Sequence, residues 1–385
     1  MNTEFETDYG YYGTPRWDDF SLDDENKAKK RFSRFFLALA VYLLIGNISA
    51  IIIQTAIVLI FGSDKGAEII NGDYFIWVVQ VVCMYVLAFP AFYLITHAMR
   101  KTVRAKSKMN IKELLTAFLM AEGLMVAGNL IGNFLSAIYT TVFGYELSNA
   151  TTELIVDSPI WLVTLVAVVI GPIIEELMFR KLLMDKLGMY GDRIAIIISA
   201  ISFGIFHGNI FQVFYAAMLG ALLAYIYSIS GNIIYCIGLH ITVNFFGSVI
   251  PMLLMEPSER MLELSEIVMA GGEIDMNEYM ILTAILGIYA LIQYGIAIAG
   301  IVILVKKYRR REFFVSDRCE VLIPKDRRSS VILKNFGAIS FSIIIAITFI
   351  LGLLPDTASL TEIGGNGNTG GAAFKIISEF LRGSL

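Results

Sequence analysis

Apolar stretches take up most of this chain, and short polar segments separate them. About 20 consecutive apolar residues in a helix cross the ~30 Å hydrocarbon core of a bilayer, and most of the stretches reach that length. The pattern predicts an all-α, polytopic transmembrane helical bundle, with an eight-helix core and a ninth, C-terminal helix. The predicted spans are residues 35–61, 74–98, 112–142, 159–187, 193–207, 211–229, 232–251, 278–305 and 332–354.

The polar segments divide the chain into five predicted parts. The first apolar stretch is far longer than the ~7–15-residue core of a secretory signal peptide, so we expect a retained helix. The Gly-rich run "GGNGNTGGAA" after the last stretch is typical of a flexible linker, and "FKIISEFLRGSL" is a candidate interfacial helix. The parts are a cytoplasmic N-terminal tail (1–34), the transmembrane core (35–305), a basic cytoplasmic linker (306–331), the additional helix (332–354) and a Gly-rich C-terminal tail (355–385).

Composition supports membrane insertion. Soluble domains carry about 25% charged residues, whereas this 385-residue chain carries 17% and is 57% hydrophobic. Its three cysteines, Cys83, Cys236 and Cys319, follow no CxxC spacing. We therefore expect packing residues rather than a disulfide or metal framework.

Charge alternates between the polar segments. The flank before residue 35 and the segments 98–112 and 306–334 are basic. The segments 62–73, 143–158 and 252–277 are acidic or nearly free of Lys and Arg. Because cytoplasmic segments of membrane proteins are enriched in Lys and Arg, the N-terminus is predicted to be cytoplasmic and the C-terminal tail to lie outside. The predicted location is the cell membrane, as a multi-pass protein of a bacterial plasma membrane.

The stretch "GPIIEELMFRKLL", residues 171–183, places two carboxylates beside a strongly apolar run. Ionisable residues inside a membrane are costly, so each needs a partner or a function. Residues four apart share a helix face, so Glu176 can pair with Arg180, whereas Glu175 points elsewhere and has no local cation. A structural ion-pair network remains an alternative for both glutamates. Pro172 favours a kink that would admit water.

Two further polar pairs with the same spacing lie in other predicted spans. "FGIFH" contains Phe203 and His207, and "HITVN" contains His240 and Asn244. These are two of the three histidines of the chain; the remaining one, His97, borders a basic segment and is given no role. At 1.5 Å per residue, both motifs and Glu175 fall ~12–21 Å from the cytoplasmic end of their helices. A shared depth predicts a single site, provided that the fourth, fifth and seventh spans are neighbours.

A glutamate pair followed by Arg, then FxxxH, then HxxxN, on separate apolar segments, resembles the CAAX protease and bacteriocin-processing (Abi) family of intramembrane proteases. The resemblance implies that Glu175 activates water with help from His207. It implies that His240 and Asn244 hold or polarise the scissile carbonyl. Glu176, Arg180 and Phe203 would be structural. The implied partners are the lipid bilayer and a membrane-anchored peptide or protein substrate, prenylated or not, and no nucleic acid.

The cofactor and the functional class remain open at the level of sequence. Glu175, His207 and His240 could hold a catalytic zinc, but a direct glutamate–histidine mechanism is preferred because the chain lacks the rigid histidine pair of HExxH. No GxGD occurs, and "SISG" has Ser228 where a rhomboid-type GxSG needs Gly. The alternatives are a non-catalytic immunity or scaffold protein, and a transporter that uses the Glu and His residues as a proton relay. No pair of matched, broken helices supports a transporter.

Overall fold

A computed structural model describes residues 20–72, 74–147, 149–315 and 319–354. Residues 1–19 of the predicted N-terminal tail, and the whole predicted C-terminal tail with its candidate interfacial helix, lie outside these residues. The described chain is helical and contains no strand. Its helices are α1 (Leu22–Phe61), α2 (Ser63–Ile70), α3 (Phe75–Thr96), α4 (Ile111–Phe143), α5 (Ala150–Val156), α6 (Ile160–Tyr190), α7 (Asp192–Phe206), α8 (Ile210–Ser230), α9 (Ile233–Leu253), α10 (Met255–Met269), α11 (Met276–Arg309), α12 (Arg328–Leu333) and α13 (Phe336–Leu353).

Eight of the described helices are long and apolar enough to cross a membrane: α1, α3, α4, α6, α8, α9, α11 and α13. The predicted polytopic helical bundle is therefore confirmed. The fifth predicted span, 193–207, forms α7, whose 15 residues extend ~22 Å and fall short of the ~30 Å apolar core. Two glycines with positive φ, Gly191 (φ +101°) and Gly208 (φ +60°), limit its length. Such backbone conformations end a helix and favour glycine.

Helix α7 and helix α8 form a closely packed hairpin. A Cβ atom on Gly204 would come within 2.6 Å of the Val213 carbonyl oxygen, so only glycine allows this approach. Gly132 of α4 approaches α8 in the same way, since a Cβ atom on it would lie 2.8 Å from the Phe211 carbonyl oxygen. Small residues at helix contacts let backbones approach, which is how helices pack in membranes. Ser199 of α7 donates to the Phe179 carbonyl of α6 at 3.1 Å, so the hairpin lies between α4 and α6.

The two basic segments lie at the same end of the bundle. Arg100 forms an ion pair with Glu320 at 2.8 Å, and the Arg31 guanidinium donates to the Arg100 and Lys186 carbonyls. The Ser107 amide donates to the Ser230 carbonyl, which places the beginning of α9 at this end too. Since α9 and α11 each cross the bundle, the acidic segment 252–277 between them lies at the opposite end. The predicted common side of segments 98–112 and 306–334 is confirmed.

Four segments of the spanning helices have the wider π-helical turn. Three of them end two residues before a proline, which has no N–H and clashes with the carbonyl of the preceding α-helical turn. The wider turn accommodates the proline without breaking the helix. The segments are Val81–Ala88 before Pro90, Thr164–Ile170 before Pro172, Phe245–Val249 before Pro251, and Leu177–Met184, which follows Glu176 directly.

Candidate active site

The two glutamates lie on α6, midway between Ile160 and Tyr190. The Glu176 side chain is fully buried, whereas the Glu175 side chain is 27% exposed. The Arg180 Nε atom lies 3.1 Å from Glu176 Oε2. The pair predicted from the spacing of four residues is thus confirmed, and the two adjacent carboxylates have different environments, one sealed and one open.

Arg180 is a fully buried cation, and an aromatic ring and a backbone carbonyl contact it besides Glu176. Its guanidinium carbon lies 4.4 Å from the centre of the Phe203 ring, within the range of a cation–π interaction. Its Nη2 atom donates to the Gly220 carbonyl at 3.3 Å. Its Nη1 atom has no hydrogen-bond partner among the described residues. The aromatic residue of the FxxxH motif therefore covers the cation of the glutamate motif, across the α6–α7 contact.

His240 of α9 bridges both glutamates. Its Nδ1 atom lies 2.9 Å from Glu176 Oε1, and its Nε2 atom lies 3.6 Å from Glu175 Oε2. The ring is 3% exposed and meets the Phe203 ring edge-to-face, with centroids 5.7 Å apart. The sequence suggested no local cation for Glu175, and along α6 there is none. The side chain that faces Glu175 comes from another helix, as an imidazole whose other nitrogen is bonded to the neighbouring glutamate.

His207 follows the last residue of α7. Its Nδ1 atom lies 2.7 Å from the Phe203 carbonyl oxygen, so Nδ1–H donates to that carbonyl and Nε2 keeps a lone pair. The imidazole is within electrostatic range of the Glu175 carboxylate and of His240. The fourth, fifth and seventh predicted spans are therefore neighbours, as a single site requires. His97 lies elsewhere, at the end of α3, with Nδ1 2.8 Å from the Leu94 carbonyl.

Asn244 is bound to the backbone of α6. Its Nδ2 atom donates to the Ala167 carbonyl at 3.0 Å. In the π-helical turn each N–H bonds the carbonyl five residues earlier, as Gly171 does with Val166. In the same pattern, the N–H that would bond the Ala167 carbonyl belongs to residue 172, which is proline and has no N–H. Asn244 supplies the hydrogen bond that Pro172 cannot make, which fixes α9 against α6 at the site.

Three tyrosines near Glu175 had no signal in the sequence. Tyr42, Tyr85 and Tyr215, from α1, α3 and α8, are each within electrostatic range of the Glu175 carboxylate. The Tyr85 hydroxyl lies 3.2 Å from where a Cβ of Gly171 would be, one turn before Glu175 on α6. Tyrosines are common in apolar helices and follow no motif here, so only the packing of the helices identifies them. They add phenolic donors around the exposed carboxylate.

The predicted zinc ligands are Glu175, His207 and His240. No group of three His, Cys, Asp or Glu side chains within the described part of the chain is placed to hold one metal ion. His240 has its Nδ1 atom directed at Glu176, and Glu175 and His240 are the only two of the predicted ligands whose side-chain atoms pair directly in these described ranges. The three side chains as placed do not form a zinc site, and we derive no step through a metal.

Comparison with known families bears on the region that contains the site. Residues 157–246 match the family model described as type II CAAX prenyl endopeptidase, Rce1-like. The matched region includes every motif residue, from Glu175 to Asn244. No curated protein and no solved structure matches the chain significantly. The match supports a CAAX-type intramembrane protease in general and agrees with the family predicted from the three motifs. Residues 157–246 of this multi-pass membrane protein are thus similar to the Rce1-like type II CAAX prenyl endopeptidases.

Proposed function

We propose that this protein is an intramembrane endopeptidase that hydrolyses a peptide bond of a membrane-associated protein or peptide, in the manner of a CAAX prenyl protease. One observation carries the proposal. A partly exposed carboxylate, Glu175, lies beside the buried chain His240–Glu176–Arg180, in the middle of a spanning helix. Buried ionisable residues of this kind in a membrane indicate function.

The two glutamates have separate tasks in this proposal. Glu176 accepts the Nδ1–H of His240 and fixes the orientation of the imidazole, while Arg180 balances the buried charge. The proposal assigns the role of a hydrogen-bond donor to the other ring nitrogen, His240 Nε2, which lies 3.6 Å from Glu175 Oε2.

Hydrolysis then proceeds in two steps. Glu175 and the free Nε2 atom of His207 hold a water molecule, and Glu175 takes its proton as the oxygen attacks the carbonyl carbon of the substrate. The C–N bond of the tetrahedral intermediate then breaks, and Glu175 returns the proton to the departing amine. One water is consumed, and a carboxyl and an amino terminus are formed.

The negative charge that develops on the carbonyl oxygen needs donors. His240 offers Nε2–H, and Asn244 offers the amide hydrogen that it does not give to Ala167. Both come from α9, one helical turn apart, so a single helix presents both donors. Donors fixed before the reaction, in a site with little water, are the largest single contribution to many hydrolases.

The expected setting is a bacterial plasma membrane with the N-terminus in the cytoplasm. The basic end of the bundle would then face the cytoplasm, as the positive-inside rule requires. The substrate is a membrane-anchored chain whose scissile bond reaches the depth of Glu175. A prenylated C-terminus is one such anchor.

Comparative proteomics of membranes from cells with the intact protein and with Glu175→Gln tests the proposal. A matched control is Glu122→Gln, since Glu122 is another buried membrane carboxylate, 3% exposed, whose partner is Gln293 on α11. Cleaved fragments should be present with the intact protein and with Glu122→Gln, and absent with Glu175→Gln. Identical peptide patterns for all three proteins would favour a non-catalytic immunity or scaffold role.

A further inference from the structure

A basic cavity lies at the end of the bundle where the N-terminal part of α1 meets the segment 98–100. Its volume is about 470 Å³, and it is lined by five Lys and Arg side chains and one carboxylate, Asp24. That carboxylate caps the start of α1, where it accepts hydrogen bonds from the Ser21 amide and hydroxyl. The cavity is far from Glu175, and the proposed proteolysis does not use it.

The charges come mainly from one face of α1. Lys27, Lys30, Arg31 and Arg34 follow the spacing of a single helix face, and all line the cavity. Phe32, on the opposite face, is fully buried in the core. Like charges four residues apart destabilise a helix. Two such pairs occur here, Lys27 with Arg31 and Lys30 with Arg34, so an anion in the cavity would relieve their repulsion.

Three of these cations have no carboxylate partner among the described residues. Lys27 and Arg100 are balanced by Asp23 and Glu320, at 2.5 Å and 2.8 Å. Arg31 donates only to carbonyls, of Arg100 and Lys186, and Arg34 donates to the Ile95 carbonyl at 2.6 Å. These bonds hold the guanidinium groups in place without neutralising them. Lys30 forms no ion pair or hydrogen bond within the described ranges.

The position of the cavity indicates which kind of anion it would bind. The apolar part of α1 begins directly after Arg34, with Phe35 and Phe36, so the cavity lies where the helix leaves the hydrocarbon core. Lipid phosphates occupy this level of a bilayer, and basic pockets between spanning helices bind anionic headgroups. Arg pairs well with phosphate because its planar donors match the phosphate oxygens. We propose that this cavity binds the phosphate headgroup of an anionic phospholipid.

The first test is thermal unfolding of the purified full-length protein in a neutral detergent. The probes are short-chain phosphatidylglycerol, short-chain phosphatidylcholine and inorganic phosphate, at equal concentrations. Phosphatidylglycerol should raise Tm in a saturable way and more than the other two, because a ligand that binds only the folded protein stabilises it. An equal rise with inorganic phosphate would overturn the assignment to a lipid, and no rise with phosphatidylglycerol would overturn the site.

The second test changes one charge at a time. Lys30→Gln should weaken the apparent affinity for phosphatidylglycerol about fivefold, the loss expected for one lysine near a lipid headgroup. Lys30→Arg should keep the affinity. The matched control is Lys108→Gln, which removes an exposed lysine at the same end but outside the cavity. Equal affinities for the two Gln variants would show that general surface charge attracts the lipid.

A third measurement does not depend on the fold of any variant. Native mass spectrometry of the intact protein, released from nanodiscs with equal amounts of phosphatidylglycerol and phosphatidylcholine, counts the retained lipids. One retained phosphatidylglycerol in preference to phosphatidylcholine supports the site. Equal retention of the two lipids contradicts it.

Discussion

His240 Nδ1 lies 2.9 Å from Glu176 Oε1, although 64 residues separate them in the chain. This bond gives the second glutamate a partner that its spacing from Arg180 did not predict. Glu176 joins an imidazole to a guanidinium, and the imidazole in turn reaches Glu175 at 3.6 Å. The two adjacent carboxylates are therefore parts of one chain of contacts, but only one of them is open to a water molecule.

Glu175→Gln should abolish proteolysis while the protein still folds. Glutamine keeps the volume of the side chain and its hydrogen bonding but cannot accept the proton of the water. Specific activity per folded molecule and Tm are measured on the purified variant. Normal cleavage by Glu175→Gln would show that another group is the base.

Glu176→Gln should instead lower the stability of the folded protein. The variant leaves the fully buried Arg180 without its counter-charge, and breaking a buried ion pair costs ~3–5 kcal/mol. Expression and Tm should fall, with activity following the amount of folded protein and the orientation of His240. The double variant Glu176→Gln with Arg180→Met should recover part of the lost stability, since it removes the unpaired charge. A well-folded, inactive Glu176→Gln beside an active Glu175→Gln would reverse the two roles.

Asn244 should contribute to stability through the proline of α6. Asn244→Leu removes the donor to the Ala167 carbonyl, and an unsatisfied buried group costs ~1–3 kcal/mol. In a Pro172→Ala background the restored N–H can replace that donor, so the same Asn244→Leu change should lower Tm less. Activity should be lost in both backgrounds, because the oxyanion donor is absent in both. An equal loss of Tm in the two backgrounds would disprove the link between Asn244 and Pro172.

The topology should follow the two basic segments. Single cysteines introduced into segments 98–112 and 319–334 should react with a membrane-impermeant reagent only from the cytoplasmic side. Cysteines in 252–277 should react only from outside. A cysteine-free background, without Cys83, Cys236 and Cys319, is the control. Labelling of 252–277 from the same side as 98–112 would contradict the arrangement of α9 and α11.

Activity is expected to survive thorough metal chelation, since the three predicted zinc ligands do not form one site. The measurement is cleavage by purified protein before and after dialysis against a strong chelator, with the zinc content determined in both samples. Activity that is lost on chelation and restored by zinc alone would establish a metalloprotease instead.

Features that depend on local geometry could be predicted from the amino-acid sequence. Helical periodicity and apolar length predicted the bundle, and the spacing of four residues predicted the Glu176–Arg180 pair, because both follow from the fixed pitch of a single helix. The distribution of Lys and Arg predicted that segments 98–112 and 306–334 share one end. Hydropathy alone did not show how short α7 is, because its 15 residues lie between two glycines with positive φ.

The contacts between helices could not be predicted in this way. Which faces of α6, α7 and α9 meet depends on side-chain packing and on close approaches such as Gly204 to Val213, and no sequence spacing encodes these distances. The bridge from His240 to both glutamates therefore emerged from the packing. The use of Asn244 to replace the missing N–H of Pro172 emerged in the same way. The basic cavity likewise exists because α1 and the segment 98–100, separated in the chain, converge where the apolar core ends and water can solvate their charges.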